Sequence, residues 1–280
     1  MFSRIISTLL LWSVVLAGLW FFGADAAIWL LTLLTALTLH EFYALTEKMG
    51  HRPFRWLGLG VSVLMTAAPF YLTQYYSEAE EFAGLAPALL ALALVVTSLA
   101  ALSQRDNSNR VQTIAATLLG VLYVPFLLHY LTKLILLYET PAAGLVPCLW
   151  VIAVAKFCDV GALLAGLAFG RHKMAPNISP KKTWEGAAGG MLTSVALGAA
   201  LAYFFPDYLP ESLTPAVAAL VALVLAVTAI ASDLIESAVK RHADLKDSGT
   251  LIPGIGGAFD LTDSLIFTAP VAYLIFLFLS

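Results

Sequence analysis

Charge is scarce in this chain. Only 12% of its 280 residues are Asp, Glu, Lys or Arg, against about 25% in soluble domains. That excludes the solvated surface of an ordinary soluble protein. Cysteine is scarcer still. Cys148 and Cys158 fall in one apolar run, too far apart on one helix to bridge each other, and read as small apolar core residues. His51, His129, His172 and His242 lack a metal-ligand spacing. There is no internal repeat, no low-complexity stretch and no segment long enough to stand as a separate soluble domain. The net charge of −3 is small and says little by itself.

What the chain has is hydrophobic length. Sixty per cent of it is apolar, and a spanning helix needs roughly 20 mostly apolar residues to cross a hydrocarbon core about 30 Å thick. Nine such runs can be read, near 5–22, 26–46, 56–74, 83–102, 111–136, 144–168, 186–204, 214–238 and 263–279. They do not alternate polar with apolar, so a membrane β-barrel is not expected. The expected fold is an all-α polytopic membrane bundle of about nine helices. Arg4 before an apolar run, with Ala24-Asp-Ala26 after it, imitates a signal peptide. Eight further spans favour an uncleaved first helix.

Positive charge alternates between the connections. Arg4; Lys48, Arg52 and Arg55; Arg105 and Arg110; Arg171, Lys173, Lys181 and Lys182; and Lys240, Arg241 and Lys246 make 13 of the 15 Lys and Arg. The other connections are acidic. The positive-inside rule then places the N-terminus and every charged motif on the cytoplasmic side. The chain divides into an N-terminal scaffold, 1–143, nearly free of intramembrane charge, and a region 144–280 with cytoplasmic loops over 169–185 and 239–262.

Ionisable groups within spans cost about 2.5–3.5 kcal/mol each on insertion scales, so each needs a reason. Lys156 and Asp159 share a helical face, either as a self-neutralising pair or as part of a site. Asp233, Glu236 and Lys240 also share one face, as a salt-bridge ladder or as the wall of a site. That face runs into Pro253-Gly254-Ile255-Gly256-Gly257, a turn whose backbone can approach a ligand and present N–H groups to phosphate oxygens. Asp260 and Asp263 follow at i,i+3. They can share Mg²⁺, a hard cation that prefers oxygen ligands, or simply favour a helix N-terminus. The loop Ser179-Pro-Lys-Lys-Thr-Trp-Glu-Gly186 adds two cations and two hydroxyls before the seventh span, with Trp184 at headgroup level. His40-Glu41 in the second run is expected to be a satisfied buried pair.

These residues resemble the phosphatidate cytidylyltransferase (CDP-diacylglycerol synthase) family. Its C-terminal signature is matched by Ser237, Lys240, Arg241, Lys246, Asp247, Pro253, Gly254, Gly256, Gly257, Asp260 and Asp263. Its second loop is matched by Ser179, Pro180, Lys182, Thr183, Glu185 and Gly186, and two further family acids resemble Asp159 and Asp233. Ile255 and Leu261 depart from the family's usual His and Arg. The resemblance implies cytidylyl transfer from CTP to phosphatidate at the cytoplasmic face of a bacterial-type plasma membrane. It implies catalytic roles for Lys182, Ser237, Lys240, Arg241, Lys246 and Asp247, and substrate binding by Ser179, Lys181, Thr183, Gly254, Gly256 and Gly257. Asp233, Asp260 and Asp263 would hold one or two Mg²⁺ ions, with a monovalent ion also allowed. The lipid bilayer and the two substrates are the expected partners, nucleic acid is not, and a homodimer is compatible with the sequence. A CTP-dependent lipid kinase, a cytidylyltransferase for another lipid phosphate and a secondary transporter are the alternatives. The absence of repeats counts against the transporter.

Overall fold

The computed structural model describes residues 2–76, 84–103, 109–245, 248–249 and 256–279. The helices are α1 (Phe2–Lys48), α2 (Arg55–Tyr75), α3 (Leu85–Leu102), α4 (Arg110–Tyr123), α5 (Pro125–Ile135), α6 (Pro141–Phe169), α7 (Trp184–Phe204), α8 (Pro215–His242) and α9 (Ala258–Leu279). Two short strands, β1 (Lys173–Ala175) and β2 (Ser179–Thr183), precede α7. Among the described residues, eight helices are long and apolar enough to cross a membrane, α4 and α5 counting together as one. The protein is an all-α polytopic membrane protein, as its composition requires.

The nine apolar runs map onto those eight helices. The first two runs join in α1, where Gly23 is non-helical (φ 55°, ψ −128°) and turns the chain without a loop. Within the 111–136 run, Pro125 opens α5 directly after α4 ends, because its ring supplies no N–H to continue the ladder. The stop of α1 is written in Gly50, at φ 90°, with bonds from Gly50 N to Glu47 O and from His51 N to Thr46 O. This is a Schellman ending, which closes the last carbonyls of a helix. Thr140 starts α6 by accepting from Ala143 N (3.2 Å) ahead of Pro141.

The chain forms two compact units. The first comprises 1–132 and 242–262, the second 133–241 and 263–280. In the first, Met65, Ala86 and Val121 form a buried apolar cluster with Val61, Leu89, Leu90 and Phe126 against it. Tyr43 on α1 donates its hydroxyl to Thr117 O on α4 (2.8 Å).

In the second unit, α6 and α7 pack through small residues, as membrane helices do when backbones approach closely. A Cβ on Gly190 would come within 2.7 Å of Cys158 O, so no larger residue fits there. Two polar bonds fix the pair: Ser194 Oγ to Val154 O (2.9 Å) and Trp150 Nε1 to Gly198 O (3.2 Å). Cys148 and Cys158 are buried in this packing and form no disulfide. Trp150 also meets Phe276 of α9 edge-on, with ring centroids 5.9 Å apart.

Candidate active site

The second unit gathers the intramembrane charges. Asp233 and Glu236 come from α8 and Asp263 from α9, and one oxygen of each lies within 4.8 Å of the others. A lysine meets every one of these carboxylates. Lys182 of β2 is 2.5 Å from Asp233 Oδ2, Lys240 is 2.8 Å from Glu236 Oε1, and Lys156 of α6 is 3.2 Å from Asp263 Oδ1. Glu236 is fully buried and depends on this company. A buried charge left alone costs several kcal/mol, at about the scale that breaking a buried pair shows.

The Lys156 ammonium is shared. It donates to Asp159 Oδ2 (3.4 Å) and Ser264 Oγ (2.7 Å) as well as to Asp263. Ser264 Oγ lies 3.0 Å from Asp159 Oδ2, and Ser264 N donates to Asp263 Oδ1 (2.6 Å). The Ser232 hydroxyl donates to Asp263 O, joining α8 to α9 beside the acid. Spacing alone shows that Lys156 and Asp159 share a face; the fold extends that pair to α9.

The hairpin explains why Lys182 enters the site and Lys181 does not follow it. Strand side chains alternate between faces; Lys181 is exposed and Lys182 half-buried. Register pairs Lys173 with Thr183 and Ala175 with Ser179, which is half-buried. Thr183 is buried and caps α7, accepting from Gly186 N (3.1 Å). Glu185 accepts from Arg171 N (3.1 Å) and His172 N (3.2 Å), and it pairs with His172 Nδ1 (2.5 Å). Together Thr183 and Glu185 hold the loop that presents Lys182. Arg241 donates through Nε to Ile178 O in the same hairpin (3.1 Å). Ser237 is half-buried on α8, next to Glu236.

The first unit holds Gly256, Gly257 and Asp260. Gly256 has φ 123°, a conformation that favours glycine. Asp260 Oδ2 accepts from Gly257 N (2.8 Å) and from the Ser248 hydroxyl (3.0 Å), closing the first turn of α9. Glu236, given no metal role from the sequence, is one of the three acids that the second unit brings together among the described residues. Lys246, Asp247 and Gly254 lie outside the described residues.

One expectation is corrected. His40 and Glu41 are not a buried pair: His40 is exposed and Glu41 buried. Adjacent residues on a helix point about 100° apart, so one environment cannot hold both. Glu41 finds its partners on a remote segment instead.

The acids of the second unit fit a hard divalent cation. All donors are carboxylate oxygens, and ligands across a Mg²⁺ ion stand about 4.2 Å apart, close to the spread of Asp233, Glu236 and Asp263. The chain belongs to the cytidylyltransferase family, whose model it matches over residues 2–279. It is 37% identical over 173 residues to a phosphatidate cytidylyltransferase of Mycobacterium leprae, covering 62% of this chain and 53% of that protein. It is 35% identical over 183 residues to one of Staphylococcus aureus, covering 65% and 66%. An uncharacterised Escherichia coli protein, YnbB, is 35% identical over 169 residues, covering 60% and 55%. The chain thus spans about half to two-thirds of the length of these relatives.

Proposed function

We propose that the protein transfers the cytidylyl group of CTP to phosphatidate, giving CDP-diacylglycerol and pyrophosphate. The observation that carries this reading is the convergence of Asp233, Glu236 and Asp263, each beside its own lysine, in a chain of the cytidylyltransferase family. An oxygen of the lipid phosphate attacks the α-phosphorus of CTP. The new P–O bond forms as the bond to the β-phosphate oxygen breaks, and pyrophosphate leaves with the electron pair. Such in-line displacement asks for positioning and charge neutralisation more than for covalent chemistry. Phosphatidate is already ionised at neutral pH, so no general base is needed.

Asp233, Glu236 and Asp263 would hold Mg²⁺, which when bound neutralises phosphate oxygens. Lys156, Lys182 and Lys240 face the three acids, with Lys156 also shared with Asp159. In this reading they turn to the substrate phosphates once the acids have another counter-charge. Arg241 and Lys246 neutralise the departing pyrophosphate. Thr183 and Glu185 shape the loop behind Lys182. The turn at Gly256 and Gly257 approaches the nucleotide, with Asp260 closing it. The site faces the cytoplasm of a bacterial plasma membrane, with residues 144–280 as the catalytic region.

The test is incorporation of label into lipid by the purified protein in detergent. With phosphatidate and Mg²⁺, label from [α-³²P]CTP should enter the organic phase as CDP-diacylglycerol, and label from [γ-³²P]CTP should not. Transfer of the γ label would mean a lipid kinase. No transfer from either position, with any lipid phosphate, would sink the reading. Reaction of Lys181 with an impermeant reagent from outside intact cells would overturn the orientation.

A further inference from the structure

Glu41 is a buried acid that the reaction above leaves unused. It lies on α1, 8% exposed, beside His40 in a run of apolar residues and threonines. Its charge is answered by no described cation; backbone and hydroxyl donors fill it instead. Oε1 accepts from Ala258 N (3.0 Å), and Oε2 from Phe259 N (2.9 Å) and from the Ser248 hydroxyl (2.9 Å). The two N–H groups belong to the first turn of α9, where a helix leaves its donors unpaired. A carboxylate there is doubly favoured, by hydrogen bonding and by the helix dipole.

The surrounding residues are cut to admit this one side chain. A Cβ on Gly257 would come within 2.2 Å of Glu41 Oε2, and one on Gly249 within 2.4 Å of Oε1. Phe42, the next residue of α1, packs edge-on against Phe259 at 6.0 Å. Thr38, one turn earlier, meets Thr262 at 3.1 Å. The Ser248 hydroxyl lies between Glu41 and Asp260, and its single proton serves one of them at a time. The carboxylate thus joins α1, the Ser248–Gly249 segment and the start of α9. Asp263 follows one turn further along that helix.

We infer that Glu41 is a positioning residue: it holds Ser248 and the first turn of α9, so that the turn at Gly256 and Gly257 meets substrate in one arrangement. The inference rests on the reaction read above. Glu41 does not touch substrate; it acts through the backbone it holds. Glutamine cannot replace it. It has one acceptor oxygen, and in either orientation its NH₂ would face a backbone N–H, that of Ala258 or that of Phe259.

The experiment compares wild type, Glu41→Gln and Ser248→Ala in detergent by hydrogen exchange, thermal unfolding and steady-state kinetics. In Glu41→Gln the amides of Ala258 and Phe259 should exchange faster. The kcat should fall by about 10–100-fold, as misplaced catalytic groups do, and the KM for CTP should rise, while the unfolding midpoint stays well above the assay temperature. Ser248→Ala should show the same pattern more weakly, and it decides the matter if Glu41→Gln cannot be purified folded. Unchanged exchange would overturn the inference. So would faster exchange with unchanged kcat, and so would a lowered midpoint that accounts for all the lost activity. If wild type forms no CDP-diacylglycerol, the reading of the reaction fails by itself. Calorimetric binding of Mg²⁺–CTP then replaces turnover, and equal affinity in wild type and Glu41→Gln overturns the role of Glu41.

Discussion

The two units place acids among apolar helices and stabilise them in opposite ways. In the first unit, Glu41 is closed by two backbone N–H groups and a hydroxyl. In the second, Asp233, Glu236 and Asp263 are each faced by a lysine from β2, α8 or α6. Backbone donors cannot leave, because they belong to the helix they begin. Lysine ammonium groups sit on flexible four-carbon stems and can exchange one oxygen for another. Fixed donors suit a residue that holds shape, and movable counter-charges suit a residue that meets a changing ligand.

The sharpest way to break this contrast is Asp263→Asn, which keeps size and removes charge. Activity should fall by about 10²–10³-fold, the usual loss for one electrostatic stabiliser, with the helices intact by circular dichroism. If the variant kept more than half the wild-type rate at saturating Mg²⁺, the second unit would not be the reacting one. Removing the counter-charge is the next test. Lys156→Met strands Asp159 and Asp263, and should cost about 1.5–3 kcal/mol of stability as a lost charged hydrogen bond. Adding Asp159→Asn should recover part of that, since it removes one stranded acid. Thermal unfolding in detergent measures both, and additive losses would show that the charges do not act together.

Gly257→Ala probes the fixed side. The new Cβ would meet Glu41 Oε2 at 2.2 Å and Ser248 Oγ at 2.3 Å, and overpacking of this kind costs about 1–3 kcal/mol. Combined with Glu41→Ala, the cost should be smaller than the sum of the two single changes. An additive double variant would mean that the carboxylate is not what fills the space. The smallest effect is expected at Leu261, half-buried between Asp260 and Asp263. Leu261→Arg places a cation beside acids and should leave the rate similar or raise it modestly, which the same labelled-CTP assay measures. A wild type without activity that Leu261→Arg restores would show that the natural chain has lost the chemistry.

Periodicity was a good guide wherever both partners lie on one helix. Lys156 with Asp159, and Glu236 with Lys240, follow from steps of three and four residues, and the structure joins each pair by an ion pair. Alternation along β2 separates Lys181 from Lys182 in the same way. It gave no guide where the partner is remote. Asp260 accepts from Gly257 N and Ser248 and Asp263 joins α6 and α8, and neither set of partners follows from the i,i+3 spacing. His40-Glu41 read as a pair because the residues adjoin, and nothing local to Glu41 points to Ala258 and Phe259.

The class of protein was therefore settled by the chain's own composition. Hydrocarbon accepts only long apolar runs whose backbone bonds are satisfied internally, so helices of spanning length follow from the residues alone. The family was legible too, because phosphate chemistry needs cations, glycines and carboxylates in an order that survives in a linear motif. Which acid meets which lysine was decided only in the tertiary structure. Helix-to-helix contacts depend on where small residues let two backbones approach, as Gly190 lets α7 approach Cys158 of α6, and no spacing along one chain encodes the helix opposite. Glu41 took the first turn of α9 for the same reason: unpaired backbone donors attract any buried carboxylate that packing brings within reach, wherever it stands in the sequence.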